Sequence, residues 1–505
     1  MNIARWIDRW AGMEPGRVAL DYEDRRLTYA DLADRIARLS GLLADRLGIR
    51  QGDRIAHLGK NDPEILTLVF ACARLGAIYV PLNWRLAAPE LDYILSNAEP
   101  AALFADAEFA ATAESLKNAP GAGRRVVWGA ARPGWLEHET EMQAARPIGD
   151  GAGDRSDALM IVYTSGTTGR PKGAVLTQDA IFHTAINGML AFGLTAQDIS
   201  LNALPMFHVG GLNIQCLPLL HAGGRVIIHR VFDPGRALQT IAQRRVTLFI
   251  AVPAMLAALL AHPDWAGADL SSLRNLCTGA STVPEPMVQA VLARGLAINQ
   301  VYGTTETAPT VAYTLPGVTG KRAASCGQPA MHAALKVVDD RGRELGVGQT
   351  GELWAKGPNI MREYWRDPAA TAEALVDGWF RTGDLAHRDQ DGFYYIDDRL
   401  KDVIISGGEN IYSAELEQVL AECPKIAESA VVAGPDPRWT EVPVAVIVAK
   451  PGQKLAADEV LALFEGRLAR YKHPKRVVFV QALPRNAMGK VLKYMLRDQV
   501  KEAHS

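Results

Sequence analysis

At 505 residues the chain is longer than a single hydrophobic core usually spans, and its 48% apolar and 22% charged residues are ordinary for a soluble globular protein. A net charge of −2 gives no reason to expect nucleic acid or a strongly charged membrane surface, though it does not exclude a local basic patch. No apolar run approaches the ~18 residues of a membrane span. The most apolar stretch, Ala254 to Ala261, is far shorter. The expectation is a soluble, cytoplasmic protein with no spanning segment, peripheral membrane contact at most, and a monomeric or homodimeric state.

Residues 1–16 carry Trp6, Ile7 and Trp10 at roughly helical spacing, broken by Arg5, Asp8 and Arg9. That predicts an amphipathic surface helix and not the apolar core of a signal peptide. Five cysteines (Cys72, Cys216, Cys277, Cys326, Cys423) are scattered with no C-x-x-C pair, which suits buried thiols in a reducing compartment. From 17 to 105, short β-type runs alternate with helical ones. Val18-Ala19-Leu20 and Leu27-Thr28 pair around a turn, and Tyr29 to Leu47 has helical period. Strands at 54–58 and 78–82 flank a helix at 63–75. This alternation predicts βαβ units and an open parallel sheet. Residues 115–155, rich in Gly, Arg and Pro, read as loosely structured.

Next comes Tyr163-Thr164-Ser165-Gly166-Thr167-Thr168-Gly169-Arg170-Pro171-Lys172-Gly173, set between the apolar runs Leu159–Val162 and Ala174–Leu176. Small residues let backbone N–H groups approach an anion, hydroxyls add donors, and a lysine adds a mobile cation. The pattern is not the usual P-loop, because Lys172 follows Pro171 and precedes Gly173. On its own the stretch reads equally as a phosphate cradle or as a flexible turn. The alternation then resumes, with strands near 226–228, 248–252 and 275–277 and helices at 235–245, 253–261 and 284–294. From about Leu335 the pattern turns strand-rich, and a boundary falls near 400. Beyond it lies a compact α+β unit with a helix at 413–421, strands at 429–433 and 442–449, a helix at 458–470 and a strand at 476–480.

Five further stretches carry chemistry: Pro205-Met206-Phe207-His208-Val209-Gly210-Gly211, Thr278-Gly279-Ala280-Ser281, Tyr302-Gly303-Thr304-Thr305-Glu306, Trp379-Phe380-Arg381-Thr382-Gly383-Asp384 and Pro484-Arg485-Asn486-Ala487-Met488-Gly489-Lys490. In this order and spacing, together with the loop at 164–173, they resemble the adenylate-forming superfamily of acyl-CoA synthetases, peptide adenylation domains and luciferases. The resemblance runs from about residue 15 to 495. It implies an α/β fold: a large N-terminal domain (1–399) with mixed sheets and a β-rich subdomain, and a small mobile α+β C-terminal domain (400–505). It also implies a two-step reaction. A carboxylate and ATP give an acyl-adenylate and pyrophosphate, and a thiol then takes the acyl group.

The same resemblance assigns roles. Thr164, Ser165, Gly166, Thr167, Thr168, Gly169 and Lys172 would hold the triphosphate. Glu306 would bind Mg²⁺, which a single carboxylate plus phosphate oxygens suits. Thr305 would sit beside the α-phosphate, with Gly303 and Thr304 in the same turn. Tyr302 and Gly279-Ala280-Ser281 would flank adenine, and Asp384 and Arg399 would hold ribose. Lys490 would be the catalytic cation of adenylation. Lys401 would be the hinge, and Gly407 and Gly408 would line the pantetheine tunnel for CoA. Phe207, His208, Val209 and Gly210 would line the acyl pocket, where amino-acid-activating relatives usually place an Asp. The favoured expectation is a carboxylate–CoA ligase for a medium- or long-chain fatty acid, because Gly303 and Gly210-Gly211 suggest a roomy apolar pocket. The alternatives are an aryl (feruloyl- or coumarate-type) CoA ligase and an enzyme loading a carrier protein. A non-catalytic nucleotide-binding scaffold fits less well, since the motifs are complete.

Overall fold

The computed structural model describes residues 1–164, 171–279, 283–406, 409–485 and 489–502. Among these residues the strands form four sheets. The largest has nine strands. Its centre is a parallel run in the order Ile298–Tyr302, Asn275–Gly279, Leu248–Ile250, Ile199–Asn202, Arg225–Ile228, Val18–Tyr22. The second has eight strands, parallel from Ala158–Thr164 through Ile78–Leu82, Arg54–Leu58 and Ala102–Asp106 to Leu136–Glu137. Both sheets carry antiparallel strands at an edge, which makes them the mixed sheets that the resemblance implied. The third sheet is antiparallel and is built on Trp379–Arg388, which pairs with Gly351–Lys356, Leu375–Val376 and Tyr394–Arg399.

Local chemistry explains many element boundaries. The helix Pro63–Leu75 starts where the Asp62 carboxylate accepts the Glu64 N–H at 3.0 Å, carries Pro at its first turn, and ends at Gly76 with φ of 72°. Its side chains are buried nearly all round, including Arg74, whose guanidinium reaches Asp8 at 2.6 Å. The N-terminal helix Arg5–Met13 is amphipathic as expected. It seats Trp6 and Ile7 in the core and donates the Trp10 indole N–H to the His221 carbonyl at 3.0 Å.

Residues 115–155 are more ordered than their composition suggests, with a strand at Arg125–Trp128 and a helix at His138–Ala144. Parallel pairing to Ala102–Asp106 supplies that order, and long-range pairing leaves no local signal. The helix expected over 458–470 is confined to Ala457–Ala462, and a terminal helix, Lys493–Glu502, went unread.

The fourth sheet lies wholly beyond residue 403, centred on Thr440–Ala449 between Ile426–Asp436, Ile404–Ser406 and Arg476–Phe479. Its two apolar clusters draw only on residues from Ile404 onward. That segment therefore buries a core of its own. Ile447 is fully buried at its centre, so Ile447→Ala should cost about 2–5 kcal/mol. Limited proteolysis should then cut beyond residue 403 first. Unchanged protease resistance would contradict a separate core.

Candidate active site

In open α/β sheets ligands bind at the carboxyl ends of parallel strands. Here Asn275–Gly279 and Ile298–Tyr302 end side by side, with Gly279 level with Val301. A tight turn, Thr305–Thr307, follows at once and buries Thr305 and Glu306. Three glycines here are packed against backbone, two of them, Gly303 and Gly211, having been read as open space. A Cβ on Gly303 would lie 1.4 Å from the Pro309 carbonyl oxygen, on Gly211 2.2 Å from that of Pro205, and on Gly279 2.4 Å from that of Val301. Gly303 and Gly211 thus serve close chain crossings, and the inference of a roomy pocket from them is corrected.

Asp384 sits on Trp379–Arg388, in register with Arg399 on the neighbouring strand. Its buried carboxylate is held from both sides. The Arg399 Nε lies 2.5 Å from Oδ1, and the Tyr302 hydroxyl donates to Oδ2 at 2.6 Å. Its own N–H donates to Thr382 Oγ1 at 3.1 Å, and that hydroxyl donates to the Leu353 carbonyl at 2.7 Å. Burial and the adjacent Asp384 charge push the Tyr302 phenol well above its ordinary pKa, so it stays a donor. Burial opposes the charge on Arg399, but the carboxylates of Asp384 and Glu306 outweigh it and raise its pKa. The structure therefore brings together Tyr302, Asp384, Arg399 and Glu306.

On the phosphate side, Ala158–Thr164 and Lys172–Thr177 form an antiparallel hairpin closed by Thr164 opposite Lys172. Ser165, Gly166, Thr167, Thr168 and Gly169 lie outside the described residues, as do Ala280, Ser281, Gly407 and Gly408. The Lys172 ammonium stands 5.4 Å from the centroid of the Tyr364 ring, and the Tyr364 hydroxyl donates to Glu306 Oε1 at 2.8 Å. Tyr364 was not singled out from the sequence, because a two-residue strand has no periodicity to read.

Among the described residues no group of three or more His, Cys, Asp or Glu side chains could cage a metal. One buried carboxylate fits Mg²⁺, which is commonly held by one or two carboxylates with substrate phosphates and water. The Thr304 hydroxyl nearby is buried with no partner among the described residues, a polar atom suited to a ligand.

His208 caps the short helix Val209–Asn213, its Nδ1 accepting the Gly210 N–H at 3.0 Å. That bond leaves the proton on Nε2, and burial lowers the imidazole pKa to about 4, so the ring is neutral near pH 7. Phe207 and Val209 are buried on either side. Asn61, another residue missed from the sequence, fixes this loop. Its amide donates to the carbonyls of Leu204 and His229 at 2.8 and 3.0 Å and accepts the Met206 N–H at 2.8 Å.

Lys490 comes from the C-terminal segment. A Cβ on the preceding Gly489 would lie 3.3 Å from the Ala254 Cβ, so this loop packs on the large unit. Burial first, and then the Arg399 charge, lower the Lys490 pKa to about 8, with Asp384 acting the other way. The lysine is thus within the field of the Asp384–Arg399 pair. Lys401 has an exposed side chain, and its carbonyl accepts from Arg497 Nη1 at 2.8 Å.

Two family models match the chain: AMP-binding enzyme over residues 7–365 and AMP-binding enzyme C-terminal domain over 415–490. The chain belongs to the AMP-binding enzyme family. It is 46% identical to an indoleacetate–CoA ligase of Aromatoleum aromaticum over 503 residues, 99% of this chain and 98% of the relative. It is 43% identical to a feruloyl-CoA synthase of an Amycolatopsis species over 497 residues, 98% of each. Among solved structures it resembles O-succinylbenzoate coenzyme A synthetase of Bacillus subtilis in complex with ATP and magnesium ion, with a TM-score of 0.88 and 32% identity over 98% of this chain and 99% of the other. The chain is an AMP-forming acid–thiol ligase of the acyl-CoA synthetase class. Among the described residues no helix is long and apolar enough to cross a membrane.

Two outcomes test this geometry. Gly303→Ala should push apart the turn carrying Thr305 and Glu306 and lower adenylation at least about tenfold, the rate cost of ~1.4 kcal/mol. An unchanged rate would mean that the close approach to Pro309 is dispensable. Lys490 is cationic below its lowered pKa, so kcat/KM for ATP should fall as pH rises through about 8. A profile flat to higher pH would remove that charge from the rate-determining chemistry.

Proposed function

We propose that this chain joins an aromatic carboxylic acid to CoA, through an aryl-adenylate and pyrophosphate in the first step and a thioester and AMP in the second. The observation that carries the aromatic choice is the high identity, 46% and 43% across nearly the whole chain, to two ligases whose substrates are aromatic acids. The fatty-acid expectation leaned on Gly303 and Gly211, and both are filled by carbonyl groups.

In this reading the acid lies beside Phe207, His208, Val209 and Gly210, with neutral His208 acting by shape and as an Nε2 donor. Two anions must meet, and positioned cations and N–H donors lower the barrier. The loop at 164–169 and Lys172 hold the triphosphate, Thr305 sits at the α-phosphate, and Asp384 with Arg399 holds ribose under Tyr302. Glu306 would hold Mg²⁺, whose bound charge offsets that of the phosphates. Lys490 stabilises the charge that develops as the acid oxygen bonds to the α-phosphorus and pyrophosphate leaves.

The thiol of CoA then attacks the acyl carbon and AMP departs. We infer that the unit beyond residue 399 turns about Lys401 between the steps, withdrawing Lys490 and presenting Gly407-Gly408 to pantetheine. A cytoplasmic site belongs to this reading; the cysteines are all free, as in a reducing compartment.

The test is AMP release over indole-3-acetate, ferulate, 2-succinylbenzoate, decanoate and palmitate, with and without CoA. An aromatic acid should exceed both fatty acids by at least about tenfold in kcat/KM, ~1.4 kcal/mol of transition-state binding. Higher kcat/KM for a fatty acid would reverse the choice, and turnover indifferent to CoA would favour a carrier-protein acceptor. Lys490→Ala should abolish adenylate formation yet spare thioester formation from supplied acyl-adenylate. Equal loss of both steps would contradict the rotation.

A further inference from the structure

The segment 359–366 runs across the site without belonging to any of the sequence motifs above. It is pinned at both ends of its path. The Met361 N–H donates to the Glu306 carbonyl at 2.7 Å, so the segment begins on the turn that carries Glu306. The Arg362 N–H donates to the Val175 carbonyl at 2.9 Å and the Trp365 N–H to the Gly173 carbonyl at 2.7 Å, so it ends on the strand that carries Lys172. Further bonds stop it from sliding. The Tyr364 N–H donates to Thr371 Oγ1 at 2.9 Å, the Trp365 indole donates to the Asn97 carbonyl at 3.1 Å, and Arg366 pairs with Glu99 at 2.5 Å. At the centre of this strap the Tyr364 side chain touches both functional groups, through its hydroxyl to Glu306 Oε1 at 2.8 Å and its ring face 5.4 Å from the Lys172 ammonium.

We propose that Tyr364 is a positioning residue for nucleotide binding, its hydroxyl orienting Glu306 toward a divalent cation and its ring holding Lys172 at the phosphate loop. The inference rests on the reading of Glu306 and Lys172 as the metal-side and phosphate-side groups of the ATP site. The physical argument has two parts. A carboxylate with one oxygen fixed by a neutral donor presents its other oxygen in one direction, and partners of this kind raise metal affinity by orienting the ligand. A lysine has a flexible stem, and an aromatic face holds its ammonium without neutralising it, so the charge stays available to a phosphate.

The two contacts can be separated by substitution. Tyr364→Phe removes the hydroxyl and keeps the ring. Tyr364→Ala removes both. The experiment uses the full chain with ATP and no acid, so that no turnover occurs, and follows Mn²⁺ binding by electron paramagnetic resonance and ATP binding by calorimetry. Tyr364→Phe should weaken Mn²⁺ binding in the ATP complex about tenfold, the low end for loss of a ligand-orienting partner. Its affinity for ATP alone should be unchanged. Tyr364→Ala should weaken ATP binding as well. On a Glu306→Gln background, Tyr364→Phe should add nothing to the loss of Mn²⁺. Unaltered Mn²⁺ binding in Tyr364→Phe, or an equal loss on both backgrounds, would overturn the proposal. So would absence of Mn²⁺–ATP binding in the unsubstituted chain. If the binding pattern holds while no acid in the panel is turned over, the positioning role stands and the substrate reading alone fails.

Discussion

The buried carboxylate of Asp384 is the constraint on which the rest of the site depends. It lies on the antiparallel sheet, and its two oxygens are taken by Arg399 on the neighbouring strand of that sheet, at the last position before the C-terminal unit, and by Tyr302 at the end of a parallel strand of the largest sheet. Removing one partner of a buried, hydrogen-bonded ion pair leaves an uncompensated charge and costs about 3–5 kcal/mol. The pair therefore ties the sheet that supplies Tyr302 to the strand that leads into the C-terminal unit. The adjacent residue faces the other way. Asp398 accepts the Ser413 N–H at 2.5 Å and its hydroxyl at 2.8 Å, and Lys493 donates to that same hydroxyl at 2.5 Å. Two consecutive acidic and basic positions thus look into two different cores. Arg497 reinforces the junction by bonding the Lys401 carbonyl and the Asp402 carboxylate at 2.8 and 2.9 Å.

Around this junction cations are crowded together. Arg399 and Lys490 lie within each other's field, and crowding of cations in a desolvated place is part of why the Lys490 pKa falls to about 8. The arrangement is unfavourable by itself and is relieved by bringing in negative charge. Lys172 stands across the site over the aromatic face of Tyr364. Such preorganisation is what a reaction between a carboxylate and a phosphate demands, since the enzyme must supply charge where two anions approach.

Much of this was legible in the sequence because it is carried by short contiguous motifs. The stretch 163–173, the Tyr302–Glu306 turn and the Arg381–Asp384 stretch each show their chemistry in a few adjacent residues, and their partnership was implied by the resemblance to the adenylate-forming superfamily. The second core beyond residue 403 was visible too, as a change in the alternation of strands and helices. Tyr364 and Asn61 were not visible, for a physical reason: Asn61 works through hydrogen bonds to backbone more than a hundred residues away in sequence, and Tyr364 through its side chain on Glu306 and Lys172, contacts that leave no local pattern. Gly303 and Gly211 misled in the opposite direction. A glycine in a sequence says only that a side chain is absent, and here a carbonyl oxygen fills the place.

The central claim is that one site is assembled from both units, with Lys490 docked on the large unit for the first step and withdrawn for the second. Ala254 and Gly489 offer the direct handle, since a Cβ at 489 would lie 3.3 Å from that of Ala254, close to the ~3.5–4.5 Å of disulfide-bonded pairs. Gly489 has φ of 77°, which adds a cost of about 1–2 kcal/mol to any side chain there. In the Ala254→Cys/Gly489→Cys double variant, quantitatively oxidised, the account predicts that acyl-adenylate still forms while CoA thioester does not, and that reduction restores the second step. Full thioester formation with the bond intact would contradict it.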